Sequence, residues 1–177
     1  MKMIKTVMAG AVAMTLVSFG ANAANQGQGT IKFTGDVISA PCGIASGYEN
    51  QEIPMGQISK AHLDANGVSK PQSVEIKLVN CDATELAKTG SVKVSFTGTT
   101  ITTAPTELGT TGDTGTAVML SEASGKMVSF DGTPGALTKL KEGDNTLLYS
   151  AWVKKATGGT VKEGSFEAVT NFALSYE

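Results

Sequence analysis

The stretch that decides the fold is GSFEAVTNFALSYE, residues 164–177. From Phe166 onward alternate positions are apolar, and Phe172, Leu174 and Tyr176 fall on one face. A period of two residues is typical of a β-strand with one buried face. A free edge beside so apolar a face would promote aggregation. The stretch therefore predicts a half-buried strand that something else must cover.

A second stretch has the same property. It reads GQGTIKFTG, residues 27–35, with Ile31 and Phe33 on alternate positions between Gly29 and Gly35. The alternation predicts another β-strand, and the glycines mark where the strand begins and ends. Two strands with apolar faces are thus predicted at opposite ends of the sequence.

Together the two stretches resemble the subunits of chaperone-usher fimbriae. Gly164 stands fourteenth from the end and Tyr176 second from the end, which resembles the signature of that family. The glycine-rich strand at residues 27–35 is similar to the donor strand of the family. Most of the sequence follows the pattern of the major subunits of P-pilus, type 1 and mannose-resistant Proteus-like fimbriae.

The resemblance implies a fold and the residues that assemble it. The fold would be all-β, an incomplete immunoglobulin-like sandwich that is completed by a strand donated from the neighbouring subunit. The donor strand would present Gly29, Ile31 and Phe33, with Gly35 at the junction. The acceptor groove, which would also bind the chaperone, would comprise Gly164, Phe166, Ala168, Phe172, Leu174, Tyr176 and Glu177. Cations of the chaperone would grip the carboxylate of Glu177.

The resemblance also implies partners, a function and a location. The partners would be identical or related fimbrial subunits, a periplasmic chaperone and an outer-membrane usher. The subunit would polymerise head to tail by donor-strand exchange and support adhesion to host cells from a fimbria on a Gram-negative surface. A single domain favours a shaft subunit, although a minor subunit stays open. An adhesin at the fimbrial tip would need an additional lectin domain.

Alternating runs elsewhere in the chain predict an all-β sandwich without long helices. The clearest runs are Val74–Leu78, Val92–Phe96 and Asn145–Val153, each with large apolar side chains on alternate positions. We expect the first core strand to continue from Gly35 through Val37 and Ile38 to Cys42. Residues 97–116, rich in Thr and Gly, predict an exposed and mobile loop.

The first 23 residues are typical of a secretory signal peptide. Lys2 and Lys5 precede an apolar run from Val7 to Phe19, and Ala21-Asn22-Ala23 forms a small-residue cleavage site. The run is shorter than the roughly 20 residues that a membrane-spanning helix needs. We therefore expect cleavage after residue 23 and export to the periplasm, then to the cell surface.

This reading divides the chain into three parts. Residues 1–23 would be the signal peptide, residues 24–35 the donor-strand extension and residues 36–177 the pilin domain. No later stretch is long and apolar enough to cross a membrane, so no span is expected in the mature protein.

The two cysteines of the chain, Cys42 and Cys81, predict one disulfide. An exported chain passes through an oxidising compartment, and a metal site would need more ligands than two thiols. The family resemblance agrees, because such subunits carry one disulfide near the end of the first strand.

Charge and composition argue against several other functions. The net charge is −2 and the cations are all Lys, which disfavours nucleic acid as a partner. The single histidine, His62, has no nucleophile arranged around it, and no phosphate-binding loop or metal-binding motif is present. We therefore expect no catalytic residues, no metal and no cofactor.

One function of a different class stays open. A self-complete, secreted, immunoglobulin-like carbohydrate-binding module would share the all-β pattern. Such a module would have no spare strand near its start and would cluster aromatic side chains for stacking on sugars. The aromatic residues of this chain lie mostly at strand positions.

Overall fold

The computed structural model describes residues 29–177, so the predicted signal peptide and residues 24–28 of the predicted extension lie outside the described residues. The chain divides into two units, residues 1–36 and 37–177. In the first unit, residues 29–36 are exposed and belong to no helix or strand.

The regular secondary structure of the second unit is mostly β-strand. Its strands are β1 (Gly43–Ile44), β2 (Gln72–Cys81), β3 (Ser91–Gly98), β4 (Thr100–Ile101), β5 (Ala104–Gly109), β6 (Thr116–Glu122), β7 (Asp131–Pro134), β8 (Thr138–Lys139), β9 (Gly143–Lys155) and β10 (Thr170–Tyr176). Two short helices interrupt them, α1 (Lys60–Asp64) and α2 (Ala83–Leu86). The Asp82 carboxylate accepts hydrogen bonds from the backbone N–H groups of Thr84 and Glu85, which caps α2.

The strands form two antiparallel sheets. The larger sheet has the order β1-β2-β9-β6-β5-β4, and the smaller has the order β10-β3-β7, with β8 also paired to β3. The smaller sheet is therefore built around β3, which has β10 on one side and β7 and β8 on the other. This two-sheet architecture confirms the predicted all-β sandwich.

The hydrophobic core lies between the sheets and follows the predicted alternation. Val92, Val94 and Phe96 of β3 are buried, whereas Lys93 and Ser95 between them are partly exposed. On β9, the longest strand, Leu147 and Tyr149 point into the same core. Other buried members are Cys42, Ile76, Leu78, Cys81, Leu108, Leu120, Val128, Phe130 and Ala151.

The prediction of a first core strand from Gly35 to Cys42 was wrong, because no strand forms there and the first strand, β1, comprises only Gly43 and Ile44. Val37 has a relative exposure of 105% and Ile38 is also exposed, so neither joins the core. Pairing with β2 is limited to Gly43 opposite Val79 and Ile44 opposite Leu78. Pro41 just before this pair has no N–H to donate to a ladder, which is consistent with the late start of the strand.

The prediction of an exposed loop at residues 97–116 was wrong. Strands β4 and β5 form there, and Glu107 and Leu108 of β5 are buried. Thr114 and Thr116 are also buried, and their hydroxyl oxygens, 2.8 Å apart, are hydrogen-bonded to each other. Threonine is β-branched and suits strands, so a Thr-rich composition alone did not identify a loop.

Candidate assembly site

The candidate site is the free edge of β10. This strand pairs with β3 in continuous antiparallel register from Thr170 opposite Gly98 to Tyr176 opposite Val92. Within residues 29–177, no strand pairs with its other side. The backbone groups on that side are thus available to another strand.

The apolar row predicted at residues 166–176 is present, but only its second half is a strand. Phe172, Leu174 and Tyr176 of β10 are half-buried and pack against the core, whereas the residues between them are exposed. Phe166 and Ala168 are half-buried in the same alternation, although they precede the strand. The row from Phe166 to Tyr176 is therefore an apolar face interrupted by Thr170, and it is only partly covered.

Aromatic contacts join this face to the centre of the core. The ring of Phe96 packs edge-on against Tyr149, with the ring centroids 5.1 Å apart. On its other side Phe96 contacts Phe172 at a centroid distance of 6.4 Å. Phe96 thus links the larger sheet to the edge strand of the smaller one.

The hydroxyl group of Tyr176 is a polar atom without a partner. It is buried, and it makes no hydrogen bond within the part of the chain that the structure describes. Burial also raises the pKa of this phenol. A buried hydroxyl without a hydrogen bond costs about 1 to 3 kcal/mol, so this atom is an unusual feature of the site.

Glu177 continues the pairing of β10 beyond the strand. Its backbone N–H donates to the carbonyl of Ser91, and the Ser91 N–H donates back to a Glu177 oxygen. The Glu177 side-chain carboxylate lies 2.8 Å from the ammonium of Lys93. A cation of the same chain therefore already faces this carboxylate, which sequence reasoning had not identified.

The connection between β9 and β10 is held by residues that the sequence did not mark as functional. The buried carboxylate of Glu107 accepts from the Lys154 ammonium at 2.6 Å and from the Thr157 backbone N–H at 2.8 Å. Burial alone would raise the pKa of Glu107, but the hydrogen bonds from Lys154 and Thr157 outweigh it and lower the pKa. Gly164, near the end of the connection, is exposed and has a φ of 151°, which glycine tolerates best.

The predicted donor residues lie among the exposed residues 29–36. Ile31 and Phe33 have relative exposures of 78% and 89%, which is unusual for large apolar side chains. Gly29 and Gly35 on either side have no atom near the position that a Cβ would occupy. Val37 continues the same alternation and is exposed too.

The disulfide joins Cys42, just before β1, to Cys81 at the end of β2. Both cysteines are buried. The Asp82 N–H donates to the Pro41 carbonyl, so the backbones flanking the two cysteines are also bonded to each other. The bridge thus fastens the start of β1 to the end of its neighbour.

The structure gives His62 a local role. It is exposed on α1, and its Nε2 atom lies 3.0 Å from the carbonyl oxygen of Val68. Over residues 29–177, no three His, Cys, Asp or Glu side chains are grouped as metal ligands. In the same range, no helix has the length and apolar character needed to cross a membrane.

A sandwich with an uncovered apolar face along one edge strand is an incomplete immunoglobulin-like fold, the class of structural subunit that another chain completes. The fimbrial protein family model matches residues 31–177, and this chain belongs to that family. The family is one of structural proteins rather than enzymes.

Several curated relatives are similar over their whole length. The Pap fimbrial major pilin protein of Escherichia coli is 50% identical, with 99% of this chain and 100% of the relative covered. The major MR/P fimbria protein of Proteus mirabilis (strain HI4320) is 38% identical, with both chains fully covered. These similarities confirm the resemblance to major fimbrial subunits.

Solved structures are similar as well. A chaperone-usher pilus, studied for the molecular basis of rod uncoiling, matches with a TM-score of 0.81 and 48% identity over 86% of this chain and 97% of the other. The P pilus rod subunit PapA matches with a TM-score of 0.74 and 47% identity over 78% of this chain and 100% of the other. The fold of this chain is thus that of chaperone-usher pilus subunits.

Proposed function

We propose that this protein is a structural subunit of a surface fimbria, in which each copy donates a strand to the next by donor-strand exchange. The observation that carries the proposal is that two apolar surfaces are left exposed: the partly covered face of β10, and the side chains of Ile31 and Phe33. Burying large side chains of this kind contributes about 1.5 to 3 kcal/mol each.

The donated strand would lie beside β10, with Ile31 and Phe33 entering the core of the neighbouring copy. Residues 29–35 and strand Thr170–Tyr176 are each seven residues long, so the two segments match in length. All other pairs in the smaller sheet are antiparallel, and an antiparallel donor would continue that pattern. Main-chain hydrogen bonds then supply affinity, and alternate side chains supply register.

The exposure of Val37 extends the proposed donor strand beyond Gly35. Val37 has the same parity as Ile31 and Phe33, so it would face the same core. In an antiparallel arrangement it would lie beyond Thr170, near Ala168 and Phe166 of the acceptor. The proposed acceptor groove is accordingly lined by Phe166, Ala168, Phe172, Leu174 and Tyr176, with Gly164 and Glu177 at its two ends.

Assembly of this kind is head to tail and does not close, because the donating and accepting surfaces differ. We propose that residues 1–23 direct export, that a periplasmic chaperone covers the groove first, and that exchange takes place at an outer-membrane usher. The filament would stand on the cell surface and support adhesion, without catalysis by the subunit. A carbohydrate-binding module is less well supported, since Phe96, Phe130 and Tyr149 are buried in the core.

The test is deletion of residues 24–33 in cells that express the chaperone and usher. We expect the shortened subunit to bind the chaperone but to form no filaments, because its groove is whole and its donor strand is missing. The matched control keeps Gly29, Ile31 and Phe33 and scrambles the other residues of the same segment. Long filaments formed by the deleted subunit alone would contradict the proposal.

A further inference from the structure

Residues 110–116, which comprise the β5–β6 loop and the first residue of β6 and are called the clamp loop below, lie against the β9–β10 connection, residues 156–169. Three backbone hydrogen bonds join them: Ala156 N–H donates to the Gly115 carbonyl at 3.0 Å, Lys162 N–H to Thr114 at 2.9 Å, and Thr111 N–H to Glu167 at 2.8 Å. The clamp loop therefore follows the connection from its start to the edge of β10.

Hydrogen bonds of threonine side chains fix the conformation of the clamp loop. The Thr110 hydroxyl donates to the Thr116 carbonyl at 2.9 Å, and the Thr114 and Thr116 hydroxyls are hydrogen-bonded. Thr114 and Thr116 are buried, so water does not compete strongly for these groups. These bonds hold the loop in one shape, against which the connection packs.

Gly112 lies against the connection beside Phe166, at the end of the candidate groove. Its φ is 82°, and a Cβ there would overlap the carbonyl oxygen of Ser165 and lie 3.6 Å from the Cα of Phe166. Gly115 has a similar overlap with the Thr160 carbonyl oxygen, farther from β10 along the connection. Gly125 has nearly the same φ, 84°, but no atom lies within 4 Å of its Cβ position.

The end of the connection is held from a second direction by β3. A Cβ on Gly98 would lie 3.0 Å from the Val169 carbonyl oxygen. Thr111 and Gly112 thus contact the connection at residues 165–167, beside Phe166 and Ala168, and Gly98 approaches it at Val169. The side chains of Phe166 and Ala168 begin the half-buried row that continues into β10.

We propose that the clamp loop, acting through Gly112, is a positioning element for the end of the acceptor groove formed by Phe166 and Ala168. The inference rests on the proposed function, because it concerns how that groove receives a strand. A Cβ at position 112 would push Ser165–Glu167 away from the clamp loop, since the opposing atom is backbone and cannot rotate aside. Phe166 and Ala168 would move with it, and the incoming strand would lose its fit there.

The experiment measures strand uptake separately from folding. Complexes of the full mature subunit with its chaperone are mixed with a synthetic peptide of residues 24–38, and peptide uptake is followed by native electrophoresis. The heat stability of the peptide-bound product is measured in parallel. The variants are Gly112→Ala, Gly115→Ala and Gly125→Ala, which all place Ala at a positive φ.

Gly125→Ala is the control for backbone strain alone, and Gly115→Ala is the control for overlap away from the groove. We expect Gly112→Ala to take up peptide more slowly than Gly125→Ala by on the order of tenfold. We expect Gly115→Ala to lower heat stability but to take up peptide at nearly the rate of Gly125→Ala. Equal uptake by Gly112→Ala and Gly125→Ala, or equal slowing in Gly112→Ala and Gly115→Ala, would overturn the inference.

A second variant covers the case in which Gly112→Ala gives no complex. Thr111→Val removes only the side-chain hydrogen bond from the Thr111 hydroxyl to the Glu167 carbonyl, 3.2 Å long, and adds no strain. We expect uptake slowed about two- to threefold at unchanged heat stability, and an unchanged rate would count against the inference. Failure of the unaltered subunit to take up peptide would instead refute the proposed function itself.

Discussion

Phe96 of β3 packs against Phe172 of β10 with ring centroids 6.4 Å apart and the ring planes tilted by 48°. Phe96 is buried, whereas Phe172 is only half-buried and leaves part of its surface exposed. This contact is where the finished core of the sandwich meets the face that still lacks a cover.

Replacing Phe172 with Ala should therefore destabilise the subunit more when a donor strand is bound than when the groove is empty. Full burial of a Phe side chain contributes about 3 to 5 kcal/mol against Ala, and Phe172 reaches full burial only when a strand covers it. We expect a loss of that order in the filament, measured by the temperature at which filaments dissociate in detergent. Val169→Ala, at an exposed position beside the strand, is the control and should change little.

Phe33 and Tyr176 should differ in the step at which their loss appears. Phe33→Ala should weaken the joint between assembled subunits and leave the chaperone complex normal, because we propose that the donor strand is not used there. Tyr176→Ala should impair both, because β10 serves chaperone and neighbour alike. Yields of purified chaperone complex and filament dissociation temperatures separate the two. A Phe33→Ala protein lost already at the chaperone step would place this residue in the subunit's own core.

The substitution Tyr176→Phe tests the role of the Tyr176 hydroxyl alone, because it removes only that O–H group. If the occupant of the groove supplies a hydrogen-bond partner, the substitution should weaken strand-bound subunits by about 0.5 to 1.5 kcal/mol. If the hydroxyl stays unpaired in the filament, the same change should be neutral or stabilising. Tyr149→Phe, in the same core, controls for loss of a phenol oxygen elsewhere.

The lowered pKa of Glu107 predicts how the free energy of unfolding depends on pH. Its pKa is lowered below the ordinary 4.5 in the folded protein, so its contribution to the free energy of unfolding is fully present above pH 4.5. That contribution is lost as the pH falls through the lowered folded pKa. We expect Glu107→Gln to cost about 1 to 3 kcal/mol at neutral pH. The gap between the two proteins should close in chemical denaturation curves recorded at increasingly acid pH, and a gap that stays constant would show that the charge is unimportant.

The disulfide should be complete in the exported protein. Thiol titration of denatured, unreduced protein should find no free thiol, whereas two reactive thiols would contradict the pairing. Replacing both Cys42 and Cys81 with Ala should lower stability by up to about 4 kcal/mol, since the bridge closes a sequence separation of 39 residues. The single variants Cys42→Ala and Cys81→Ala should each lose as much and leave one thiol to titrate.

The predictions from sequence succeeded where one period described a whole strand. Val92, Val94 and Phe96 alternate with polar residues, and they were correctly predicted to face the core. The sequence predictions failed where they rested on composition and not on alternation. The Thr- and Gly-rich residues 97–116 form strands and a buried polar cluster. Nothing in the local sequence indicates that Gly112 approaches Ser165, since the two residues meet only after the sheets pack.

The sequence by itself determined the all-β class, the alternating apolar row at residues 166–176, the pair of cysteines and the resemblance to fimbrial subunits. Each of these depends on residue type and spacing along the chain, which a linear pattern contains. Only the tertiary structure decided that one side of β10 is free, that Val37 is exposed and that Lys93 faces Glu177. These facts depend on which strands become neighbours, and that is set by packing between distant segments and not by the local preference of any one of them.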